Sequence, residues 1–166
     1  MSCNIKVVRA GEEDIPLIRS IAQAVWPQVY SGLLSDKQIS YMMNMMYSAD
    51  VIASELASGC KWYLLEYEKE TAGYFSIYFT GEVCKLDKLY IKPQFRRCGV
   101  GRQAIRFAAD TAQEHGAKQL ILNVNKYNTS AQKAYSSYGF THLRDEVNDI
   151  GNGFVMDDYV LALEIK

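Results

Sequence analysis

The stretch that decides the fold is residues 88–105, "KLYIKPQFRRCGVGRQAI". It runs from a β-branched and aromatic strand into an amphipathic helix, and the loop between them contains Gly99 and Gly101. Glycines admit positive φ and close approach of a ligand, so successive backbone N–H groups can be exposed where the helix dipole is positive. Three arginines add charge suited to phosphate oxygens: Arg96, Arg97 and Arg102. The combination predicts a pyrophosphate site, against the alternative of an ordinary strand-to-helix turn with solvated arginines.

Two common phosphate loops fit this stretch poorly. The Gly-Lys-Ser/Thr ending of a Walker loop is absent, which excludes that motif. "GVGRQA" satisfies the looser dinucleotide fingerprint, but that fingerprint expects an acidic residue about 20 positions further on. The strand in that region ends "LNVNKYN", without a carboxylate, and the loop follows several helices and strands instead of opening the domain.

Composition limits the classes of protein to consider. With 166 residues and 49% hydrophobic content, we expect one domain over residues 1–166. A net charge of -1 argues against a nucleic-acid partner. The four cysteines lack metal-ligand spacing, and neither a signal core nor a membrane-spanning run is present in the sequence, so we expect a cytoplasmic protein with reduced thiols and no membrane association.

The order of elements is predicted from periodicity and turn residues. A strand in "IKVVRA" precedes a helix that Pro27 is expected to end or kink, and two further helices follow, the first with Ser35 as N-cap. Three antiparallel strands lead into the loop, with a hairpin at "EKET". After the loop come helix, strand and helix, then two closing strands. We therefore expect an α/β (α+β) domain.

Two separated motifs give a family resemblance. "RRCGVG" at 96–101 fits the pattern Arg/Gln-x-x-Gly-x-Gly/Ala, and "NKYNTSAQKAYSSYGF" at 125–140 fits a second, "N..A...Y...GF". With these motifs in this order, the chain resembles the GCN5-related N-acetyltransferase (GNAT) family. The opening "VVRAGEEDIPLI" and the final "DDYVLALEI" are similar to the family's ends. The layout between residues 26 and 59 is similar to the branch of PaiA-type polyamine acetyltransferases.

The resemblance implies a fold and a cosubstrate. The fold would be a mixed, mostly antiparallel central sheet with helices on both faces, and acetyl-CoA would be the acyl donor, with no metal. The pyrophosphate would lie against the loop residues Arg96, Arg97, Cys98, Gly99, Val100, Gly101 and Arg102. The pantetheine arm would pair with the backbone of Leu89, Tyr90 and Ile91 like an added strand and contact Asn128. From the residues alone, Asn128 also fits a helix N-terminus and Cys98 a small side chain facing away from the ligand.

Tyr135 is the predicted general acid. When an amine attacks a thioester, the leaving thiolate benefits from a nearby proton, and a tyrosine hydroxyl can supply it. The resemblance assigns that role to the tyrosine at this point of the second motif. The alternative is a packing role, because Ala131, Ala134, Tyr135 and Tyr138 share helical spacing.

The general base is less defined by the sequence. Period two along "VCKLDKLYI" places Lys85, Asp87, Leu89 and Ile91 on one face of the strand. Lys85 stands where some relatives carry glutamate, so we predict a water chain ending at Asp87. Glu82, or water alone, remains an alternative base, and Asp87 could instead pair with a neighbouring lysine.

The acceptor site is predicted from the first helices. Trp26 and Tyr30 are the candidate substrate-binding residues, and the run "YMMNMMY" is either part of that pocket or simply core. A polyamine-like small molecule is favoured by the resemblance, although the acidic residues of this region are dispersed. An amino acid, an aminoglycoside-like amine, a peptide N-terminus and a protein lysine are the other candidates.

Two hypotheses of function follow. The first is an N-acetyltransferase that acts by direct attack of the amine within a ternary complex. The second is a non-catalytic coenzyme A-binding regulatory module, motivated by the missing glutamate. Retention of Tyr135 favours the enzyme. The hydrophobic closing strands are compatible with a homodimer.

Overall fold

A seven-stranded sheet with the order β1-β2-β3-β4-β5-β7-β6 organises the protein in the computed structural model, which describes residues 3–166. The strands are β1 Ile5–Arg9, β2 Lys61–Tyr67, β3 Glu70–Thr80, β4 Val83–Ile91, β5 Gln119–Asn125, β6 Thr141–Gly151 and β7 Phe154–Glu164. The helices are α1 Ile15–Tyr30, α2 Asp36–Tyr47, α3 Ala49–Ala57, α4 Val100–Glu114 and α5 Thr129–Ser137, with short 3-10 turns at Glu12–Asp14 and Pro93–Phe95. Neighbouring strands are antiparallel except β4 and β5. The predicted mixed, mostly antiparallel sheet is confirmed.

The sheet separates two hydrophobic cores, one on each face. The first contains the apolar face of α4, including Ala104 and Ala108, with α5 packed at its edge. The second is built from α1, α2 and α3, whose side chains Ile18, Trp26 and Ile52 are buried. Helices therefore cover both faces of the sheet, as the resemblance implies.

Local sequence signals explain several element boundaries. Glu68 and Lys69 form the two-residue turn between β2 and β3, both with positive φ, 48° and 72°, which is the conformation that a tight hairpin requires. The Ser35 side chain accepts a hydrogen bond from the Gln38 N–H (3.1 Å) at the start of α2. The hairpin and the N-cap are both confirmed.

Of the two predicted effects of Pro27, an end of α1 or a kink in it, the first is wrong. The helix continues to Tyr30, and the Ser31 N–H donates to the Pro27 carbonyl (2.9 Å). Proline removes one hydrogen bond to the preceding turn but leaves its own carbonyl free to accept. The extra turn brings the buried Tyr30 ring to 4.6 Å from the ring of Trp26, and this aromatic contact favours the longer helix.

No helix among the described residues is long and apolar enough to cross a membrane.

Candidate active site

A cleft opens where β4 and β5 diverge, and we call it the strand cleft. The two strands pair only at Val83–Lys85 and Gln119–Ile121. Beyond this point, residues 86–91 of β4 and 122–124 of β5 line opposite walls of a cleft of about 400 Å³, which α5 closes from the side. Among residues 3–166, the β4 edge facing the cleft has no strand partner. An extended ligand that carries amides can add there as a strand.

The loop at one end of the strand cleft exposes the N-terminus of α4. Arg97 and Gly99 have positive φ, 61° and 86°, and Gly99 precedes the helix without a side-chain cap. The first hydrogen bond of the helix runs from the Gln103 N–H to the Gly99 carbonyl (3.1 Å), so within the described chain the N–H groups of residues 99–102 have no acceptor. Four free N–H groups at the positive end of a helix dipole form an anion site.

The predicted loop residues divide into two groups. Arg96 and Gly101 line the strand cleft, and the Arg96 Nε–H donates to the Ile91 carbonyl (3.2 Å). The others lie in the adjoining loop and first helical turn: Arg97, Cys98, Gly99, Val100 and Arg102. Val100 is buried in the α4 core, and the Cys98 thiol turns back towards the Arg96 carbonyl (3.5 Å).

A β-bulge in β4 corrects the predicted alternation. Ser76 pairs with Lys88 but Ile77 pairs with Leu86, so Asp87 is an extra residue without a partner on β3. Leu86 and Leu89 consequently face the same core, although they are three residues apart. The prediction that Lys85, Asp87, Leu89 and Ile91 share one face is wrong, because the bulge reverses the alternation between its two sides.

Tyr135 and Asn128, both on the α5 segment, line the strand cleft. The Asn128 side-chain oxygen accepts from the Ala131 N–H (3.3 Å) and so caps α5, as its position predicts. The Tyr135 ring lies 5.7 Å from the ring of Phe140 and packs against the α4 core, while its hydroxyl has no hydrogen-bond partner among residues 3–166. Burial raises the pKa of Tyr135, so the hydroxyl stays protonated at neutral pH and can act as a donor.

A second cleft lies on the α1–α2 side of the sheet, and we call it the acidic cleft. It measures about 450 Å³ and is lined by Trp26, Tyr30, the α2 methionines and polar residues of β4–β7. Trp26 is only 1% exposed and its Nε1–H donates to the Tyr47 hydroxyl (3.1 Å). The hydroxyls of Tyr30 and Tyr90 are 2.8 Å apart, and burial raises the pKa of Tyr30 to about 12.

Four carboxylates face the acidic cleft: Glu55, Asp87, Glu146 and Asp158. Sequence reasoning missed Glu146 and Asp158, which come from β6 and β7, more than fifty residues from β4 along the chain. Only the strand order, with β7 inserted between β5 and β6, brings them to this face. The spacing of acidic residues along the sequence does not indicate that Glu146 and Asp158 lie close to β4.

Lys88 is the buried cation of this cleft. Its side chain is 3% exposed, and Nζ lies 2.6 Å from Asp87 Oδ2 and 3.2 Å from Glu55 Oε1. The ammonium also lies over the Trp62 ring, 4.9 Å from its centre. Burial opposes the charge, but the two carboxylates outweigh it and raise the pKa of Lys88. The alternative pairing of Asp87 with a neighbouring lysine is therefore observed.

The two clefts meet at five shared residues: Tyr30, Asp87, Lys88, Tyr90 and Asn123. Glu82 lines neither cleft; it is mostly exposed and pairs with Lys118 (3.1 Å). In the described part of the chain, no group of three or more His, Cys, Asp or Glu side chains could hold a metal ion. The strand cleft can therefore hold an extended ligand and the acidic cleft a cationic ligand. The two ligands would meet at the residues that both clefts share.

Comparisons with known proteins show the family of this chain. A family profile described as acetyltransferase (GNAT) family matches residues 26–140. A spermidine N(1)-acetyltransferase of Thermoplasma acidophilum is 21% identical over 160 residues, 93% of this chain and 96% of the relative. The uncharacterized N-acetyltransferase YjgM of Escherichia coli is 30% identical over 79% of this chain and 78% of its own length.

A solved structure shares the fold. The PaiA N-acetyltransferase from Thermoplasma acidophilum, crystallised in complex with coenzyme A, superimposes with a TM-score of 0.81 at 18% identity, covering 97% of this chain and 99% of that one.

Proposed function

This chain belongs to the acetyltransferase (GNAT) family, and from that premise we propose that it transfers the acetyl group of acetyl-CoA to a primary amine of a small molecule by direct attack within a ternary complex. It is an acetyl-CoA-dependent acyltransferase. One observation carries the finer proposal, namely that the strand cleft and the acidic cleft meet at Asp87, Lys88 and Asn123. An extended thioester in one cleft and an amine in the other would touch at that point.

The residues of the strand cleft fit acetyl-CoA. The free N–H groups of residues 99–102 suit the pyrophosphate, and the unpaired edge of β4 suits the amides of the pantetheine arm. Acetyl-CoA supplies an activated acyl group, and the protein supplies position and proton transfer. The amine nitrogen bonds to the carbonyl carbon, the carbon–sulfur bond breaks, and the Tyr135 hydroxyl gives its proton to the leaving sulfur.

Asp87 is the proposed end of the path that removes the proton from the acceptor ammonium. It lines both clefts, and a primary amine with a pKa of about 10.4 is mostly protonated at neutral pH. Lys88 Nζ lies 2.6 Å from Asp87 Oδ2. This contact fixes the orientation of the Asp87 carboxylate that a bridging water would contact. When Asp87 takes up the proton, its neutral carboxyl can still accept a hydrogen bond from Lys88, whose charge remains paired with Glu55.

Asp87→Asn is expected to lower kcat/KM by about 10²-fold near pH 7, with a smaller loss at higher pH. Towards the amine's own pKa the acceptor is already deprotonated, so the base matters less. Steady-state kinetics between pH 6 and pH 10 measure this ratio. Glu82→Gln is the matched control, because Glu82 lies outside both clefts, and its profile should follow the wild type. A profile for Asp87→Asn that matches the wild type rejects the role.

A polyamine-like acceptor is supported by charge. Four carboxylates and two lysines leave the acidic cleft with an excess of two negative charges, although the whole chain carries only -1. A relative that spans almost the same length is named for spermidine. A ligand with two or more ammonium groups would offset this excess.

Thiol release from acetyl-CoA tests the function directly. We expect release with spermidine and spermine, and much less with amino acids, aminoglycosides or a lysine peptide, while calorimetry shows acetyl-CoA binding. Release with another amine class would correct the acceptor. Tight binding without release on any amine would contradict amine acetylation and favour the coenzyme A-binding module.

A further inference from the structure

Asp158 is a buried carboxylate whose bonding is incomplete. It lies on β7 opposite Asn125 of β5 and Glu146 of β6, is 4% exposed, and lines the acidic cleft. Its Oδ1 atom is buried and has no hydrogen-bond partner among residues 3–166. Burial raises the pKa of Asp158. A buried polar atom without a partner is costly, which indicates that something else supplies the missing donor.

Asn123 holds this carboxylate in place. Its amide nitrogen donates to Glu146 Oε2 (2.7 Å) and to Asp158 Oδ2 (3.3 Å), while its amide oxygen accepts from the Lys85 ammonium. An ammonium can only donate, so Lys85 fixes which end of the amide faces it and turns the nitrogen towards the two carboxylates. The hydrogen bonds of Asn123 therefore fix the orientation of the Asp158 carboxylate and leave its Oδ1 without a partner among residues 3–166.

The cations of the acidic cleft are committed elsewhere. Lys88 pairs with Asp87 and Glu55. Lys85 has no carboxylate within ion-pair distance among the described residues and bonds Asn123 instead. Glu146 receives a bond from Asn148 (3.0 Å), and its other oxygen lies 3.5 Å from the half-exposed Arg144. Asp158 is therefore the carboxylate of this cleft without a cation.

Its distance from the meeting point of the clefts suits a short chain. Asn123 stands at that point, and Asp158 lies opposite Asn125, two residues further along β5. Two residues of a strand separate the backbones by roughly 7 Å, and the Asp158 side chain reaches back until its Oδ2 lies 3.3 Å from Asn123 Nδ2. Resting on the proposed amine acetylation, we infer that Asp158 binds the second ammonium group of a diamine or polyamine acceptor, so that the first amine lies at the thioester.

The test compares butane-1,4-diamine with butylamine, which has the same carbon chain and lacks the second charge. The wild type is expected to prefer the diamine in kcat/KM by at least about 10-fold, the usual worth of a hydrogen bond to a charged group. Asp158→Asn should lower kcat/KM for the diamine by more than it lowers kcat/KM for butylamine, and so remove this preference. Asp157→Asn is the matched control, because Asp157 is the adjacent residue of β7, pairs with Lys126 (3.3 Å) and does not line the acidic cleft.

Several outcomes would overturn the inference. They are equal losses for both amines in Asp158→Asn, no diamine preference in the wild type, and the same effect in Asp157→Asn. Thermal unfolding of each variant separates folding defects from recognition. Calorimetric titration of the coenzyme A-bound protein with butane-1,4-diamine adds a readout that does not need turnover. If no amine is acetylated, the proposed function fails, but weaker diamine binding to Asp158→Asn than to the wild type still supports the subsite, and equal binding removes it.

Discussion

Tyr135→Phe is expected to lower kcat by about 10²-fold or more while the Kd for acetyl-CoA stays nearly unchanged. The substitution removes one hydroxyl and keeps the ring, whose packing beside Phe140 is preserved. The hydroxyl has no hydrogen-bond partner among residues 3–166, so its loss breaks no internal hydrogen bond. What disappears is the proton that the leaving thiolate would receive.

Tyr138→Phe is the matched control for this prediction. Tyr138 lies just beyond α5, lines the same strand cleft, and its ring sits under the Arg102 guanidinium (5.2 Å). Loss of its hydroxyl should leave kcat within about twofold of the wild type, the scale of a surface change without a transition-state role. Thiol-release kinetics and calorimetry measure both variants. An unchanged kcat in Tyr135→Phe would remove the acid role and leave Tyr135 as a packing residue.

Lys88→Met should lower the free energy of unfolding by roughly 3–5 kcal/mol, because it leaves two partly buried carboxylates without their cation. Both Asp87 and Glu55 lose the ammonium, and Glu55 Oε2 is already buried without a partner among residues 3–166. Urea unfolding measures the change. Lys118→Met is the matched control, since its pair with Glu82 is exposed and should contribute at most about 1 kcal/mol.

The contribution of Lys88 to the free energy of unfolding is also expected to depend on pH. Its pKa is raised in the folded protein, so the stabilisation is complete below the ordinary lysine value of 10.5 and is lost as pH rises through the folded pKa. The difference between wild type and Lys88→Met should therefore be constant around neutral pH and shrink in strong alkali. A Lys88→Met protein as stable as the wild type at pH 7 would contradict the account. The double variant with Glu55→Gln should recover part of the loss, because one uncompensated charge is removed.

Much of the fold was predictable because its signals are local. Ser35 caps a helix through an atom three residues away, and the hairpin at Glu68 and Lys69 follows from a tight turn between two apolar runs. The strand cleft was predictable through the motifs that surround it, since Asn128 and Tyr135 occur within one short helix. In each case the interacting groups are near neighbours in the sequence.

The acidic cleft was not predictable for the opposite reason. Asp158 and Glu146 reach it through strand pairing, and Lys88 is buried where α3 brings Glu55 over the sheet, beside the ring of Trp62. The end of α1 was also not predictable from Pro27, because the tendency of proline to stop a helix is outweighed by the packing of Tyr30. When the role of a residue depends on partners far away along the chain, the periodicity of the local sequence does not indicate that role.

The bulge at Asp87 changes which face of the sheet the odd-numbered and even-numbered residues of β4 occupy. Side chains along a strand alternate between the two faces with a period of two residues. One extra residue therefore moves every later side chain to the opposite face from the one that regular alternation would give it. Lys85 and Tyr90 therefore serve the same cleft from odd and even positions. A point substitution in this strand changes one side chain, whereas a single insertion or deletion would exchange the two faces of a whole half-strand, so the length of this segment carries as much information as its residues.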